Sequence, residues 1–419
     1  MNRLLLPLWL ASGLCWAEQP VTQSWPQMRG PQNDGHAVAT NLPLRWSETE
    51  NVRWKTPVPG GGWSSPVVHG DQVWVTTATD AGRSRRAVCF ARETGQVVRD
   101  VELFGIPKPA DKHEFNSYAS PSPVLEEGRL YATFGSDGTA CVDTNTGAVL
   151  WRNTEMKCDH FRGAGSSPIR WGDYLLLNYD GIDVQYVAAL DRQTGAVAWR
   201  TERSHITTVS KDGDLKKAYS TPLVVAVAGV PELVSIGAEC VHGYEPASGA
   251  ELWRCRFSGF SNAALPLFGY GLFYVNTGFG QAALLAVRAG GRGDVTESHI
   301  AWTYKRDVGK MSSPILVDDA LYFVSDEGKA TCLDARTGAA RWQERLGSGL
   351  GFTASPVYAA GHLYFFDYKK GLGVVLKPSD PPALVASNQL AAGCMASPAV
   401  AGNALYVRTK THLYRLQSS

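Results

Sequence analysis

Apolar and polar positions alternate along the chain in short runs, the period-two signature of strands that present one face to each side of a sheet. The runs recur in groups. Each group opens on a Ser-Pro or related pair, at Ser65-Pro66, Ser122-Pro123, Ser167-Pro168, Thr221-Pro222, Leu265-Pro266, Ser313-Pro314, Ser355-Pro356 and Ser397-Pro398, at spacings of 57, 45, 54, 44, 48, 42 and 42 residues. A short apolar stretch, a Gly or Asp turn and a second apolar stretch follow, as at residues 73–77, 130–134 and 321–325. In most groups a third stretch then runs into a tight turn: Asp143 to Gly147, Asp191 to Gly195, Glu245 to Gly249 and Asp334 to Gly338. Four residues beyond each of these glycines stands a tryptophan, at Trp151, Trp199, Trp253 and Trp342.

The turn chemistry is legible. Asp and Thr side chains cap their own backbone, and Gly takes the left-handed conformation that a side chain resists. Each group therefore predicts a four-stranded antiparallel unit of roughly 40 to 45 residues, the unit of a β-propeller blade. Such sheets bury both faces only by stacking around a ring, and the tryptophans are placed to cover the seams. The eighth group lacks its last strand, whereas Asn51 to Lys55, with Trp54, has the same Trp-basic ending and no hairpin before it. The expectation is an all-β, eight-bladed propeller whose last blade is completed by this N-terminal strand, which removes the open edges. The first blade departs from the pattern with Arg99 at the seam position, and the fifth and seventh carry irregular turns at Arg288 to Gly293 and Lys377 to Pro382.

Composition sharpens this picture. With 44% hydrophobic and 19% charged residues the chain can bury a large core, and 43 Gly and 23 Pro suit many tight turns. A formal net charge of +1, with no charge block, gives no drive toward nucleic acid or anionic lipid. Residues 1–17, with Arg3, an apolar run over 4–14 and Cys15-Trp16-Ala17, read as a secretory signal too short to span a bilayer, and Leu14 is too large for a lipoprotein signal. The expected product is a soluble, exported, monomeric protein, periplasmic or extracellular, with a leader over 18–45 and the propeller over 46–419. Of the cysteines left after cleavage, Cys89, Cys141 and Cys332 occupy one equivalent third-strand position and read as small core residues. Cys240 and Cys255 fall opposite each other when the Glu245–Gly249 turn is folded symmetrically, a candidate disulfide.

With its Asp-x-x-Thr-Gly-x-x-x-Trp turn, the repeat resembles the pyrroloquinoline quinone-like β-propeller repeat, over nearly all of residues 46–416. The resemblance implies three functions: a quinone-dependent dehydrogenase, an outer-membrane protein assembly factor, or a binding propeller. The alcohol dehydrogenases of that superfamily carry two adjacent cysteines and a calcium held by Glu, Asn and Asp side chains; no two cysteines are adjacent here, and no acidic trio matches. The reading is therefore a non-enzymatic binding or interaction scaffold in the cell envelope, without an assigned cofactor, the oxidoreductase using quinone and calcium being the alternative.

Loop length marks one face of the ring. Connections from a fourth strand to the next blade share a face with the loops between second and third strands, and three of them, at 104–117, 153–163 and 201–218, are long. Long irregular loops on a rigid scaffold are where function gathers. They and a neighbouring loop hold His113, Asn116, His160, Arg162, Asp180, Asp183, His205 and Lys217, the candidate binding residues for a protein partner or a small polar or glycan ligand. His113, His160 and His205 offer imidazoles from three blades, but nine histidines are spread over the whole chain and no metal is assigned. No nucleophile elbow or phosphate loop occurs, and Gly60-Gly61-Gly62 precedes a strand rather than a helix.

Overall fold

In the computed structural model, which describes residues 20–205 and 213–418, the strands assemble into eight antiparallel sheets, each with four strands in a meander. Blade 1 runs Val67–His69, Gln72–Thr79, Ser84–Ala91 and Val97–Gly105, and blades 2 to 7 repeat this order to Ala383–Gln389. Blade 8 takes Ala399–Ala401, Ala404–Arg408 and His412–Leu416 from the C-terminal end, and Val52–Pro57 pairs antiparallel with His412–Leu416 to complete it. The chain thus closes its own ring as expected. The signal segment expected at residues 1–17 lies outside the described residues. Among the described residues no helix is long and apolar enough to cross a membrane.

The core sits in the seams. In the second strand of blade 2, Leu130 and Ala132 pack into a cluster shared with blade 1, while Tyr131 between them packs into a cluster shared with blade 3. Similar clusters join blades 3 to 7 in turn, and a last one joins blades 7, 8 and 1. The cysteines Cys141 and Cys332 lie midway along cross-strand rows, Tyr131–Cys141–Trp151 and Tyr322–Cys332–Trp342, where a small side chain separates two large rings.

Four seam tryptophans reach the next blade's hairpin. The Nε1 of Trp54 donates to Arg92 O at 2.9 Å, that of Trp151 to Arg192 O at 3.1 Å, and that of Trp199 to Pro246 O at 3.2 Å. Trp302, which the irregular blade 5 turn hides from the sequence pattern, does the same to Ala335 O at 3.2 Å. Arg99 substitutes for tryptophan in blade 1 by donating to Asn145 O of the blade 2 hairpin. Trp253 meets no regular hairpin ahead of it and donates instead to Glu232 Oε2 at 2.9 Å. Beside it, Gly293–Asp294 from the blade 5 insertion adds a parallel fifth strand to the outer edge of blade 4. In blade 7 Ala386 stands at the seam position, and Trp46, just after the leader, fills the space by stacking near Tyr364 and Phe366.

The Ser-Pro pairs form a second ring, around the axis. The backbone N–H of Ser65 donates to Ser122 Oγ, that of Ser122 to Ser167 Oγ and that of Ser167 to Thr221 Oγ1, at 2.8 to 2.9 Å. Leu265, Ser313 and Ser355 N–H groups continue it to Ser313, Ser355 and Ser397. Leu265 has no hydroxyl, and at that junction Ser220 Oγ donates to Ala264 O instead. The serine is therefore a buried backbone acceptor, which satisfies an amide that would otherwise be costly in the interior.

The Cys240–Cys255 disulfide expected from symmetric folding of the turn is absent. A bulge between Gly243 and Tyr244 shifts the register, so Cys240 pairs with Arg256 and Val241 with Cys255. One residue of slip sends the two thiols to opposite faces of the sheet. All seven described cysteines are free and buried.

Candidate functional site

Residues 20–45 run across the hairpin face of the ring. Trp25 exchanges backbone hydrogen bonds with Val68 of blade 1, and Pro26 O accepts from Leu125 N of blade 2. The leader then returns over blades 6 and 7, where Arg29 donates to Pro314 O and His36–Ala37 pairs parallel with Val357–Ala359. At its turning point Met28 projects toward the axis, its sulfur 3.6 Å from Ser167 Oγ and 3.8 Å from Thr221 Oγ1. The central channel thus has a floor, and on the long-loop face it opens as a funnel of about 740 Å³.

The funnel wall is aromatic. Trp63, Phe115, Tyr219, Phe260, Phe279 and Tyr368 line it, and ring hydroxyls with Met28 make its base. Phe115, in the connection from blade 1 to blade 2, meets Tyr368 of blade 7 edge to face with centroids 5.1 Å apart. Tyr368 is held by the buried carboxylate of Asp367, which accepts from the N–H groups of Gly351, Lys369, Lys370 and Gly371. The loop can enter there because Gly393 has no side chain: a Cβ would stand 1.7 Å from Tyr368 O.

Charge in the funnel is largely paired. Asp214 meets Lys217 and, at 3.4 Å, Arg162; burial tends to raise its pKa, but these two cations outweigh it and lower it. Lys310 lies 3.5 Å from Asp326 and 5.3 Å above the Phe279 ring. Lys217 is buried and sits 5.6 Å from the Phe260 ring centroid.

Of the candidates taken from the long loops, His113, Asn116, Arg162 and Lys217 line the funnel. Asn116 braces it, donating from Nδ2 to Arg162 O and Ala164 O. The other four do not line it. Asp180 is buried in a two-pronged ion pair with Arg203, at 2.5 and 2.8 Å, between blades 3 and 4. Asp183 accepts from Asp159 N and Val184 N and shapes its own loop. His160 Nε2 accepts from Ser136 N at 3.1 Å, and burial lowers its pKa to about 4. His205 is buried against His242 with Nδ1 and Nε2 3.0 Å apart, and its pKa is also lowered to about 4 by burial. The expectation of one continuous polar arc is corrected accordingly: His160, Asp180 and His205 are packed away from the funnel, and Asp183 is exposed but spends its carboxylate on loop backbone. The aromatic wall escaped the sequence reading because its residues lie at unrelated offsets from the repeat.

His205, Cys240 and His242 bring three ligand atoms within 4.8 Å of one another. The two histidines also form a hydrogen-bonded chain with Arg203 and Ala238. Arg203 Nη1, which can only donate, lies 3.5 Å from His242 Nδ1, so His242 carries its proton on Nε2 and passes it toward His205 Nδ1. His205 Nε2 then donates to Ala238 O at 2.7 Å.

A sequence model of the family described as outer membrane protein assembly factor BamB matches residues 183–419, from the third strand of blade 3 to the C-terminal strands of blade 8. The chain belongs to this family. No curated protein matches it. Among solved structures it is similar to BamB from Moraxella catarrhalis, at 13% identity and a TM-score of 0.58 over 87% of this chain and 99% of that one. It is also similar to quinohemoprotein alcohol dehydrogenase from Comamonas testosteroni, at 10% identity and 0.64 over 94% and 81%, and to a europium-containing methanol dehydrogenase, at 12% and 0.54 over 92% and 89%. At these identities the likeness is one of fold, a PQQ-like β-propeller.

The residues of the funnel do not fit the quinone and metal that some propellers of this fold carry. Two of its carboxylates, Asp214 and Asp326, are already tied to cations, leaving Glu114 without the acidic neighbours a divalent ion requires. Among the described residues the funnel lining also contains no cysteine.

Proposed function

We propose that the protein is an exported, non-catalytic propeller that works as a monomeric binding scaffold in the cell envelope, in the assembly of outer-membrane proteins. In this reading residues 1–17 are removed on export, 18–45 form the leader and 46–419 the propeller. The observation that carries it is the blind aromatic funnel, whose paired charges offer neither a nucleophile nor a metal cradle but do offer apolar surface on a rigid ring, the usual composition of a binding pocket. Membership of the assembly-factor family supports the same reading.

The test is a strain lacking the protein. Its outer membrane should be depleted of β-barrel proteins, with lipoproteins and soluble envelope proteins unchanged, and the full chain should restore them. Unchanged β-barrel content sinks the assembly role. Reconstitution with quinone and calcium, followed by dye reduction with alcohols or sugars, tests the oxidoreductase alternative; sustained turnover would overturn the present reading.

A further inference from the structure

The chain has five methionines. Met1 lies outside the described residues and Met156 is buried in the seam of blades 2 and 3. The remaining three, Met28, Met311 and Met395, come from the leader and from blades far apart in sequence, yet all line the one funnel, each partly exposed to it. Unbranched thioether side chains repack around apolar groups of different shape, which is why they gather on surfaces that accept varied peptide side chains.

The funnel's polar groups are mostly committed. Ser122, Ser167, Thr221, Ser355 and Ser397 accept backbone N–H groups of the preceding blade, Asn116 donates to two carbonyls, and Asp214 and Asp326 hold cations. A sugar, which needs several free donors and acceptors, finds few. An apolar side chain finds Phe260, Phe279 and the three thioethers.

The mouth adds a sign. Within the lining, Arg162, Lys217 and Lys310 balance Glu114, Asp214 and Asp326. Two exposed lysines beside it, Lys369 and Lys410, sit 5.7 and 5.9 Å from the centroid of Tyr368, and among the described residues neither has a carboxylate within ion-pairing distance. Beside Tyr368 the mouth therefore presents two lysines that no described carboxylate pairs.

We propose that the funnel binds an extended polypeptide segment in which an aromatic or aliphatic side chain enters the methionine-lined cup while flanking acidic residues meet Lys369 and Lys410. The floor made by Met28 stops the segment from threading through, so recognition is of a short stretch. The inference rests on the proposed scaffold role and names the chemistry of what that scaffold holds.

The probe is a fluorescently labelled peptide in which Phe and Leu alternate with Asp, titrated against the full chain and read by anisotropy. Two control peptides replace Asp by Lys or the apolar residues by Ser. Binding should weaken about tenfold or more for each control and fall with salt. Lys369→Glu with Lys410→Glu should reverse the preference between acidic and basic peptides, and Met311→Gln with Met395→Gln should weaken both without changing the order. Equal binding of all three peptides, no binding, or binding of oligosaccharides in competition with the peptide overturns the proposal. Melting temperatures of the variants separate a lost site from a lost fold. If the deletion strain is depleted of β-barrel proteins and a variant combining these four substitutions restores them fully, the peptide site falls while the scaffold role stands.

Discussion

The indole of Trp151 in blade 2 lies against Gly195 in blade 3, so closely that a Cβ on the glycine would stand 2.4 Å from the ring, while Nε1 donates to Arg192 O of the same hairpin. Gly195 also has a φ of +75°. The glycine thus serves its own turn and the neighbouring blade's tryptophan at once. Trp54 with Gly95, Trp199 with Gly249 and Trp302 with Gly338 repeat the contact.

Gly195→Ala should therefore cost about 2–4 kcal/mol, combining overpacking with a strained backbone. Gly172→Ala, where φ is positive but a Cβ meets nothing within 4 Å, should cost only the backbone part. Urea titrations of both variants check the difference. Equal losses would mean that the seam contact contributes nothing.

The ring was legible because its determinants are local and repeated: turn residues, alternating strands and a tryptophan at fixed offset. Seam details that depend on a neighbour were not. Trp302 is displaced by an insertion, Trp46 reaches blade 7 from the far end of the chain, and the bulge at Gly243 and Tyr244 that separates Cys240 from Cys255 leaves no mark in residue spacing. The funnel was legible only as a face. Loop length pointed to the side on which the funnel opens, yet nothing local distinguished His113, which lines the funnel, from His160, which supports a loop.

Trp46 is nearly fully buried against Tyr364 and Phe366, and Gly373 makes room for it. Trp46→Ala should cost about 3–5 kcal/mol, as large aromatic truncations in cores do. Deleting residues 46–56 should do more, exposing the edge of His412–Leu416 and driving association of the chain. Size-exclusion chromatography and thermal melts check both. A monomeric deletion variant with an unchanged melting temperature would show that the ring closes another way.

His160 and His205 make stability fall on acidification. Their folded pKa values are lowered by burial to about 4, against a reference of 6.5. Between those values the unfolded chain binds protons that the folded chain does not, so stability is complete above pH 6.5 and declines toward pH 4. His160→Gln, which keeps an acceptor for Ser136 N, should flatten that decline. Denaturant titrations across this pH range measure the slope, and an unchanged slope in the variant would contradict the assignment.

The long-loop residues divide into two classes that mutagenesis can separate. His113 is exposed and lines the funnel, and Arg162 is partly exposed there with a long 3.4 Å contact to Asp214. Replacing both by Ala should shift stability by only about 0.5 kcal/mol or less, since neither leaves a buried group unpaired. Asp180 differs: its removal strands the buried Arg203 guanidinium between two blades, and breaking a buried pair from one side typically costs about 3–5 kcal/mol. Asp180→Ala should therefore lower the melting temperature strongly, whereas His113→Ala with Arg162→Ala should weaken peptide or partner binding with little change in melting. Melting curves and binding isotherms on both variants decide it. Should the funnel pair melt early while Asp180→Ala stays stable, the division between binding face and blade seam would be reversed.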